Sequence, residues 1–494
     1  MKKNIIAGIA LLMLIITVSV SCSDEFVDRK APYSLDSENY FNSEDDYNQA
    51  LIGAYDLLHA SYVNVMLGEI ASDNTNSGGE SATDVVGFQQ IDDMTHTSSN
   101  ANLKNIWDWM FAGVQRANYI MEFKDKTDFA NKPQVLAETR FLRAYYHFEL
   151  VKWFGPIPLN GDKRFSVEDV TRVPRSSIPE VYATIEADLL YAIENLKPLS
   201  PDIAKGRATK GSAQALLGKV YLYQNKFVNA ANVLNDLIAS NSYSLVADYN
   251  SIFETAGENG PESVFEVQYT NTEGASFTCL QCSEGNVAVG FNGVRNYSGP
   301  VFSDGYSFNV PRAEVVNAFE AGDRRKAVAI LDIAAFAAAN PNVNYGVGFK
   351  HTGYFNRKYI PRAGDAVLGD QHLTNGTNYR AIRYADVLLM AAEANNRGGI
   401  DDAKARQYLN EVRRRAFGDN NHDVTASGGA LTDLILAERR VELVGEGHRF
   451  FDLVRTGKAA QEIDGFTAGK NELFPVPVEE IQFSNGNWQQ NPGY

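Results

Sequence analysis

Two groups of residues in the sequence combine aromatic rings with polar side chains, as a binding site for a polar ligand does. Aromatic rings offer flat surfaces for stacking, and Asp, Asn, Gln, Arg and His offer hydrogen bonds. The first group comprises Ser72, Asp73, Asn74, Thr75, Asn76, Phe88, Gln89 and His96. The second comprises Phe277, Phe291, Asn292, Arg295, Asn296, Tyr297, Phe302 and Tyr306. Two structural explanations stay open, since Asn and Asp also hold turns and aromatic rings also anchor loops.

Motifs for catalysis, metals and cofactors are missing from the sequence. It contains no Gly-x-Ser-x-Gly elbow, no HExxH pair and no phosphate-binding glycine loop. The acidic pairs Asp45-Asp46 and Asp92-Asp93 lack the ligand spacing of a calcium loop, and we interpret them as solvated acids. We therefore predict no catalytic residue, no metal site and no cofactor.

A glycosidase would need two carboxylates about 5 to 9.5 Å apart, and 61 acidic residues cannot exclude such a pair. The densest acidic cluster alternates with arginines at helical spacing, which indicates an ion-pair network rather than catalysis. Its acids are Glu438, Glu442, Glu446 and Asp452, and its arginines are Arg439, Arg440, Arg449 and Arg455. His448 lies among them, and we interpret it as a helix-end or surface imidazole.

Cys279 and Cys282 have the spacing of a redox motif but lie in a loop-rich segment. In an exported protein, a local disulfide that rigidifies a binding loop fits this pair better than a metal site does.

Composition restricts the class of protein. The 494 residues carry a net charge of −16, which argues against nucleic-acid partners because a phosphate backbone attracts a basic surface. Hydrophobic residues at 44% are enough for a large core. Trp107, Trp109 and Trp153 fall in helical patterns and Trp488 in the tail, so a ring-lined site would use Tyr or Phe.

The N-terminus predicts export. Lys2 and Lys3 precede an apolar run, 5–20, which is too short to span a membrane and is followed by Cys22. This arrangement resembles a bacterial lipobox, which would make Cys22 the lipidated first residue, although ordinary cleavage beside an incidental cysteine stays open. We predict a signal peptide over 1–21 and a lipidated tether over 22–40.

Hydrophobic periodicity predicts a mainly α protein. The predicted helices cover 43–59, 105–123, 135–154, 177–196, 213–238, 313–321, 323–339, 381–395, 401–416 and 431–444. Segment 71–100 is predicted to be a polar loop, 255–380 to be loop-rich and 462–494 to be a loop-rich tail. Gly218, Tyr221 and Ala230 have the offsets of a tetratricopeptide helix pair, and 390–403 repeats them weakly.

Several motifs occur in a characteristic order along the chain. They include Tyr40-Phe41, Arg140-Phe141-Leu142-Arg143-Ala144-Tyr145-Tyr146, Phe154-Gly155-Pro156-Ile157-Pro158-Leu159, Pro261-Glu262-Ser263-Val264-Phe265-Glu266-Val267, Glu438-Arg439-Arg440, Arg449-Phe450, Leu473-Phe474-Pro475-Val476-Pro477 and Gln490-Asn491-Pro492-Gly493-Tyr494. Together they resemble the SusD/RagB family of outer-membrane nutrient-binding lipoproteins.

The resemblance implies tetratricopeptide-like helix pairs in an α-α superhelix, with long loops and a few short β-strands or hairpins. The body would occupy 41–494: a helical part over 41–250, a ligand-binding region over 251–380, and a C-terminal helical part with its tail over 381–494. It also implies a non-catalytic surface lipoprotein, held in outer-membrane lipid through Cys22, that passes oligosaccharide or polysaccharide to a SusC-like TonB-dependent transporter. Under this resemblance the two groups named first are candidate glycan contacts, because sugar faces stack on aromatic rings and sugar hydroxyls hydrogen-bond to polar side chains. A peptide cargo, as on the RagB side of the family, and a surface glycoside hydrolase are the alternatives.

Overall fold

The computed structural model describes residues 40–365 and 368–494. The predicted signal peptide, the lipidation of Cys22 and nearly all of the predicted tether lie outside these residues.

Helices are the main regular structure of the described chain and hold about half of its residues. They are α1 Glu44–Asp56, α2 Tyr62–Ile70, α3 Val86–Asp92, α4 Ala101–Glu122, α5 Lys132–Phe154, α6 Ile178–Asn195, α7 Lys210–Tyr223, α8 Phe227–Ala239, α9 Val287–Asn292, α10 Ala313–Asn317, α11 Lys326–Ala329, α12 Ile333–Ala339, α13 Tyr384–Arg397, α14 Asp402–Phe417, α15 Gly428–Glu442, α16 Arg449–Arg455, α17 Ala459–Glu462 and α18 Val478–Phe483. The mainly α class is therefore confirmed.

Short antiparallel strand pairs connect distant segments. The strands are β1 Thr75–Asn76, β2 Ile157–Pro158, β3 Arg175–Ser176, β4 Ser263–Val267, β5 Val310–Pro311, β6 Ile330–Asp332, β7 Tyr354–Asn356 and β8 Tyr379–Arg383. They pair as β1–β5, β2–β3, β4–β8 and β6–β7. The first of these pairs fastens the polar segment after α2 to the loop-rich region.

Local sequence signals account for the long N-terminal helices. Ser43 and Asp46 form a capping box at the start of α1, as the sequence predicts. The apolar faces of α4 and α5 pack together in the main core, where Trp153 and Phe141 are fully buried. A left-handed Gly155 ends α5.

The predicted tetratricopeptide-like pair is α7 and α8. A Cβ added to Gly218 would lie 2.4 Å from the side chain of Leu234, so only glycine permits this approach of the two helices. Ala230 is completely buried at the same contact. The pair packs against α13, and α13 packs in turn against α14 and α15.

The cluster around Glu442 is a buried ion-pair network, as interpreted from the sequence. Glu442 accepts hydrogen bonds from Arg325, Arg383 and Arg415, and none of these four side chains is more than 4% exposed. Nearby, Asp452 pairs with Arg439 and Arg455, two of the arginines that the sequence analysis placed in this network. His448 is the residue just before α16, a helix end.

Three predictions from the sequence need correction. The single helix expected over 323–339 is instead α11, β6 and α12, because β6 pairs with β7 and interrupts the alanine-rich run. Segment 71–100 contains β1 and α3 in addition to loops. Asp92 is not a solvated acid: it is 4% exposed and pairs with Lys350 and Arg312.

Among the described helices, none combines the length and the apolar character that a membrane span requires.

Candidate functional site

The polar side chains that follow α2 form hydrogen bonds and ion pairs inside the protein. The carboxylate of Asp73 accepts hydrogen bonds from Arg449 and pairs with Arg440 at 2.8 Å. The completely buried Asn74 donates to Glu69 and accepts from Arg440. Their polar atoms are already engaged, so we do not include either residue in the site proposed below.

The other members of the first group are also mostly enclosed. Phe88 is 2% exposed and packs edge-on against Phe308. The Nε2 atom of His96 lies 2.8 Å from the hydroxyl of Tyr494, and burial lowers the pKa of His96 to about 4. Asn76 is half-buried in β1, opposite Val310.

The second group divides into an inner and an outer part. Tyr297 and Phe302 belong to a small separate core beneath the loops, and the Tyr297 hydroxyl donates to the carbonyl of Pro300. Phe291 is 6% exposed, and its ring centroid lies 5.8 Å from that of Phe88. Phe88 belongs to the first group and Phe291 to the second, so this contact brings the two groups together in the structure.

An aromatic wall forms the outer part. It consists of Phe277, Tyr306 and His372, with ring centroids 6.0 Å apart for the first pair and 4.9 Å for the second. Phe277 is 57% exposed, while Tyr306 and His372 are half-buried. Interplanar angles of 58° and 53° show that neighbouring rings are strongly tilted relative to each other. Phe291 lies behind Tyr306 at 5.6 Å.

Charged and polar groups border the aromatic wall. Asp304 and Asp370 lie 3.4 and 3.6 Å from the two ring nitrogens of His372. Arg295 donates to Asp84 at 3.2 Å and to the carbonyl of Tyr306 at 3.1 Å. The next residue, Asn296, is exposed and left-handed, with φ of 51°.

The hydroxyl of Tyr306 is a potential ligand contact, since it forms no hydrogen bond with any of the described residues. Burial, together with the negative charges of Asp370 and Asp304, raises its pKa to about 12. The hydroxyl therefore stays protonated at neutral pH and can donate as well as accept a hydrogen bond.

A disulfide lies next to the exposed end of the aromatic wall. Cys279 and Cys282 are bonded, as expected for this pair in an exported protein. The bridge closes a short turn two residues after Phe277 and so restricts the segment that carries this ring.

Sequence reasoning missed His372, Asp304 and Asp370. Asp304 lies inside the second group, where a lone acid has no distinguishing pattern. His372 and Asp370 come from a distant loop, which is held by a bridge between Ala275 and Gly369 and by the contact of Gly290 with the carbonyl of His372. No spacing pattern in the sequence indicates that this loop packs beside Tyr306 and Asp304.

A separate groove of about 380 Å³ lies between α4 and the tail. Trp107 and Trp488 form its floor, only 3% and 4% exposed, with Phe111 and Phe165 beside them. The sequence analysis assigned Trp107 to a helical pattern and Trp488 to the tail, and the structure buries both side chains.

Comparison with known proteins identifies the family. The model of the SusD family matches residues 333–494, and the model described as "Starch-binding associating with outer membrane" matches residues 25–222. A solved laminarin-binding SusD-like protein superposes with a TM-score of 0.84 at 34% identity, covering 92% of this chain and all of that one. The chain belongs to the SusD family.

Other SusD-like proteins match over almost the full length. SusD-like protein P2 of Formosa agariphila is 29% identical, with both chains fully covered. Surface glycan-binding protein A of Bacteroides thetaiotaomicron, solved with laminarihexaose, is 25% identical with a TM-score of 0.79, over 91% of this chain and 99% of that one. The helical frame with few short strands is therefore the fold of this family, as the resemblance implied.

Proposed function

We propose that this SusD-family protein captures glycans at the outer surface of the cell and binds them on the aromatic wall. The observation that carries the proposal is the side-by-side arrangement of Phe277, Tyr306 and His372 with an acidic border. Exposed rings supply stacking surfaces for sugar faces, and the bordering carboxylates accept hydrogen bonds from sugar hydroxyls. The relatives that bind laminarin and laminarihexaose support this assignment.

We infer that a laminarin-type glucan is the cargo. One similar structure is a laminarin-binding SusD-like protein, 34% identical to this chain, and another was solved in complex with laminarihexaose. A wall whose neighbouring rings tilt by more than 50° follows a bent chain better than a straight one. We expect a bent glucan to place successive sugars against successive tilted rings more readily than a straight chain does.

We also propose the wider setting that the family resemblance implies. Lipidation at Cys22 would hold the protein in outer-membrane lipid, and a SusC-like TonB-dependent transporter would receive the glycan. The family description as associating with the outer membrane supports this location. Release must follow capture, so a micromolar to millimolar site, equivalent to about 8 to 4 kcal/mol, suits the task.

The proposed role is binding without catalysis. The acids most suggestive of a hydrolase, Glu438, Glu442 and Glu446, are buried and paired with arginine or lysine. Their burial and pairing favour a structural role for these carboxylates over a catalytic one.

Calorimetric titration of the chain from Asp24 onward tests the proposal. Laminarihexaose, cellohexaose, maltohexaose and a peptide digest are titrated separately, and reducing ends are assayed after each run. We expect laminarihexaose to bind with a micromolar to millimolar dissociation constant and no reducing ends to appear. Preference for cellohexaose would contradict the inference that the cargo is a bent, laminarin-type glucan. Binding of peptides alone would favour a RagB-like role. Released reducing ends would indicate hydrolysis.

A further inference from the structure

Three potential metal ligands converge where α1 meets the base of the loop that carries Phe277. Asp56 is the last residue of α1, His59 lies in the following turn, and Glu284 comes two residues after Cys282. One ligand atom from each lies within 4.8 Å of the other two. The shortest contact joins His59 Nδ1 and Glu284 Oε2 at 3.2 Å.

A backbone hydrogen bond sets the tautomer of His59. Its Nε2 lies 2.7 Å from the carbonyl oxygen of Gln268, which only accepts hydrogen bonds. Nε2 must therefore carry a proton and donate it, so the neutral ring directs the lone pair of Nδ1 toward Glu284. Metal-binding histidines are commonly oriented by this contact between the other ring nitrogen and a carbonyl.

The cluster contains an excess of acceptors. The carboxylates of Glu284 and Asp56 face Nδ1, and two acceptors 3.2 Å apart need either a proton or a metal cation between them. Arg116 donates to Oδ2 of Asp56, and the carboxyl groups of Asp56 and Glu284 lie within hydrogen-bonding reach of each other. Arg207 lines the same cleft but pairs with Glu138 at 2.8 Å.

The surroundings leave room for solvent ligands. The cleft has a volume of about 320 Å³ and also contains Lys205 and Gln268. The side chains of Asp56, His59 and Glu284 are 37%, 15% and 32% exposed. A metal ion held by three protein ligands could complete its coordination with water here.

We propose that Asp56, His59 and Glu284 bind one divalent transition-metal ion of the Zn²⁺ class. One imidazole nitrogen and two carboxylate oxygens suit Zn²⁺, whereas Ca²⁺ prefers an all-oxygen set. The spacing of residues in the sequence did not reveal the site, because Glu284 lies far along the chain from α1. The competing explanation is a proton in place of the metal, either on Nδ1, which would make His59 and Glu284 a simple ion pair, or shared between the carboxyl groups of Glu284 and Asp56.

A metal ion at this position would fasten the ligand-binding loop to the helical body. The carbonyl of Glu284 accepts a hydrogen bond from the amide of Thr270, and the hydroxyl of Tyr269 donates to the carbonyl of His59. These bonds close the base of the loop that carries Phe277 and the disulfide. Metal binding is independent of the proposed glycan function, so the two can fail separately.

Titration with ZnCl₂ tests the site directly. The chain from Asp24 onward is treated with EDTA, dialysed and titrated calorimetrically at pH 7.5, alongside His59→Ala, Glu284→Gln and the control His422→Ala. We expect one Zn²⁺ per chain, at least a tenfold weaker affinity in the first two variants, and wild-type affinity in the control. His422 contacts a single acid, Asp419, on another part of the chain.

Hydrogen exchange distinguishes a metal from a proton. Zn²⁺ should slow exchange of the backbone amides of residues 270–284 in the wild type and leave them unchanged in Glu284→Gln, which keeps the size of the side chain. Circular dichroism confirms that each variant is folded. Absence of Zn²⁺ binding by the folded wild type, or unchanged binding by His59→Ala, would overturn the proposal and leave the ion pair as the explanation.

Discussion

The guanidinium of Arg383 donates hydrogen bonds to both carboxylate oxygens of Glu446, at 2.9 Å from Nε to Oε2 and 2.8 Å from Nη2 to Oε1. Both side chains are 1% exposed. The same guanidinium also reaches Glu262 and Glu442, so it connects β8 with the segment before β4 and the end of α15. Planar bidentate pairing of this kind is a role for which lysine cannot substitute.

Replacing this arginine should destabilise the fold strongly. We expect Arg383→Met to lower the free energy of unfolding by about 3 to 5 kcal/mol, because it leaves buried carboxylates without their partner. Urea denaturation monitored by circular dichroism measures the change. Arg172→Met removes a pair with Glu168 in which both side chains are 71% exposed, and it should cost less than about 1 kcal/mol. Equal losses in the two variants would contradict the assigned role of burial.

His96 should make stability depend on pH. Burial lowers its folded-state pKa to about 4, whereas the unfolded chain protonates near the ordinary value of 6.5. Between these values the unfolded state binds one more proton, so stability falls as the pH decreases from about 6.5 to 4. His96→Gln should reduce this slope by up to about 1.4 kcal/mol per pH unit. Urea midpoints at several pH values measure it, and a slope identical to that of the wild type would contradict the prediction.

Most of the helical frame was predictable because its signals are local. The Ser43 and Asp46 pair marks the start of α1, and the offsets of Gly218 and Ala230 mark the packing of α7 on α8. Helical periodicity also placed α4, α5 and α6 within a few residues of their observed bounds. These features depend on residues within about a dozen positions of one another, so the linear pattern contains them.

Features made by distant segments were not predictable in this way. The sequence suggested Arg439, Arg440, Arg449 and Arg455 as partners of the acidic cluster, yet Glu442 is held by Arg325, Arg383 and Arg415. Likewise, Asp73 is a residue type that often contacts ligands, but here its carboxylate forms buried ion pairs with Arg440 and Arg449. Burial depends on the tertiary arrangement, which residue type alone does not specify.

The disulfide should matter more for ligand binding than for global stability. A Cys279→Ser/Cys282→Ser double variant removes the bridge beside Phe277 and leaves its loop more conformations to lose on binding. We expect laminarihexaose affinity to fall severalfold, while the loss of unfolding free energy stays within about 2 kcal/mol because the closed loop is short. Calorimetry and thermal unfolding measure the two effects. A large fall in melting temperature with unchanged affinity would reverse this assignment.

The aromatic wall itself should respond to single-ring deletions. Phe277 is 57% exposed, so Phe277→Ala should leave the melting temperature nearly unchanged and weaken laminarihexaose binding by about 0.5 to 1.5 kcal/mol, or roughly two- to twelvefold. Phe483→Ala is the matched control, since this ring on α18 is 67% exposed and outside the wall. It should bind laminarihexaose as the wild type does.

Tyr306 separates stacking from hydrogen bonding within the same wall. Tyr306→Phe keeps the ring that packs on Phe291 and removes only the hydroxyl, so we expect a smaller loss of affinity than for Tyr306→Ala. The alanine variant should also lose stability, because its ring is half-buried, and its melting temperature must be measured beside its affinity. If Phe277→Ala and both Tyr306 variants bind laminarihexaose like the wild type, the glycan site lies elsewhere on the protein, and the groove between Trp107 and Trp488 becomes the next surface to mutate.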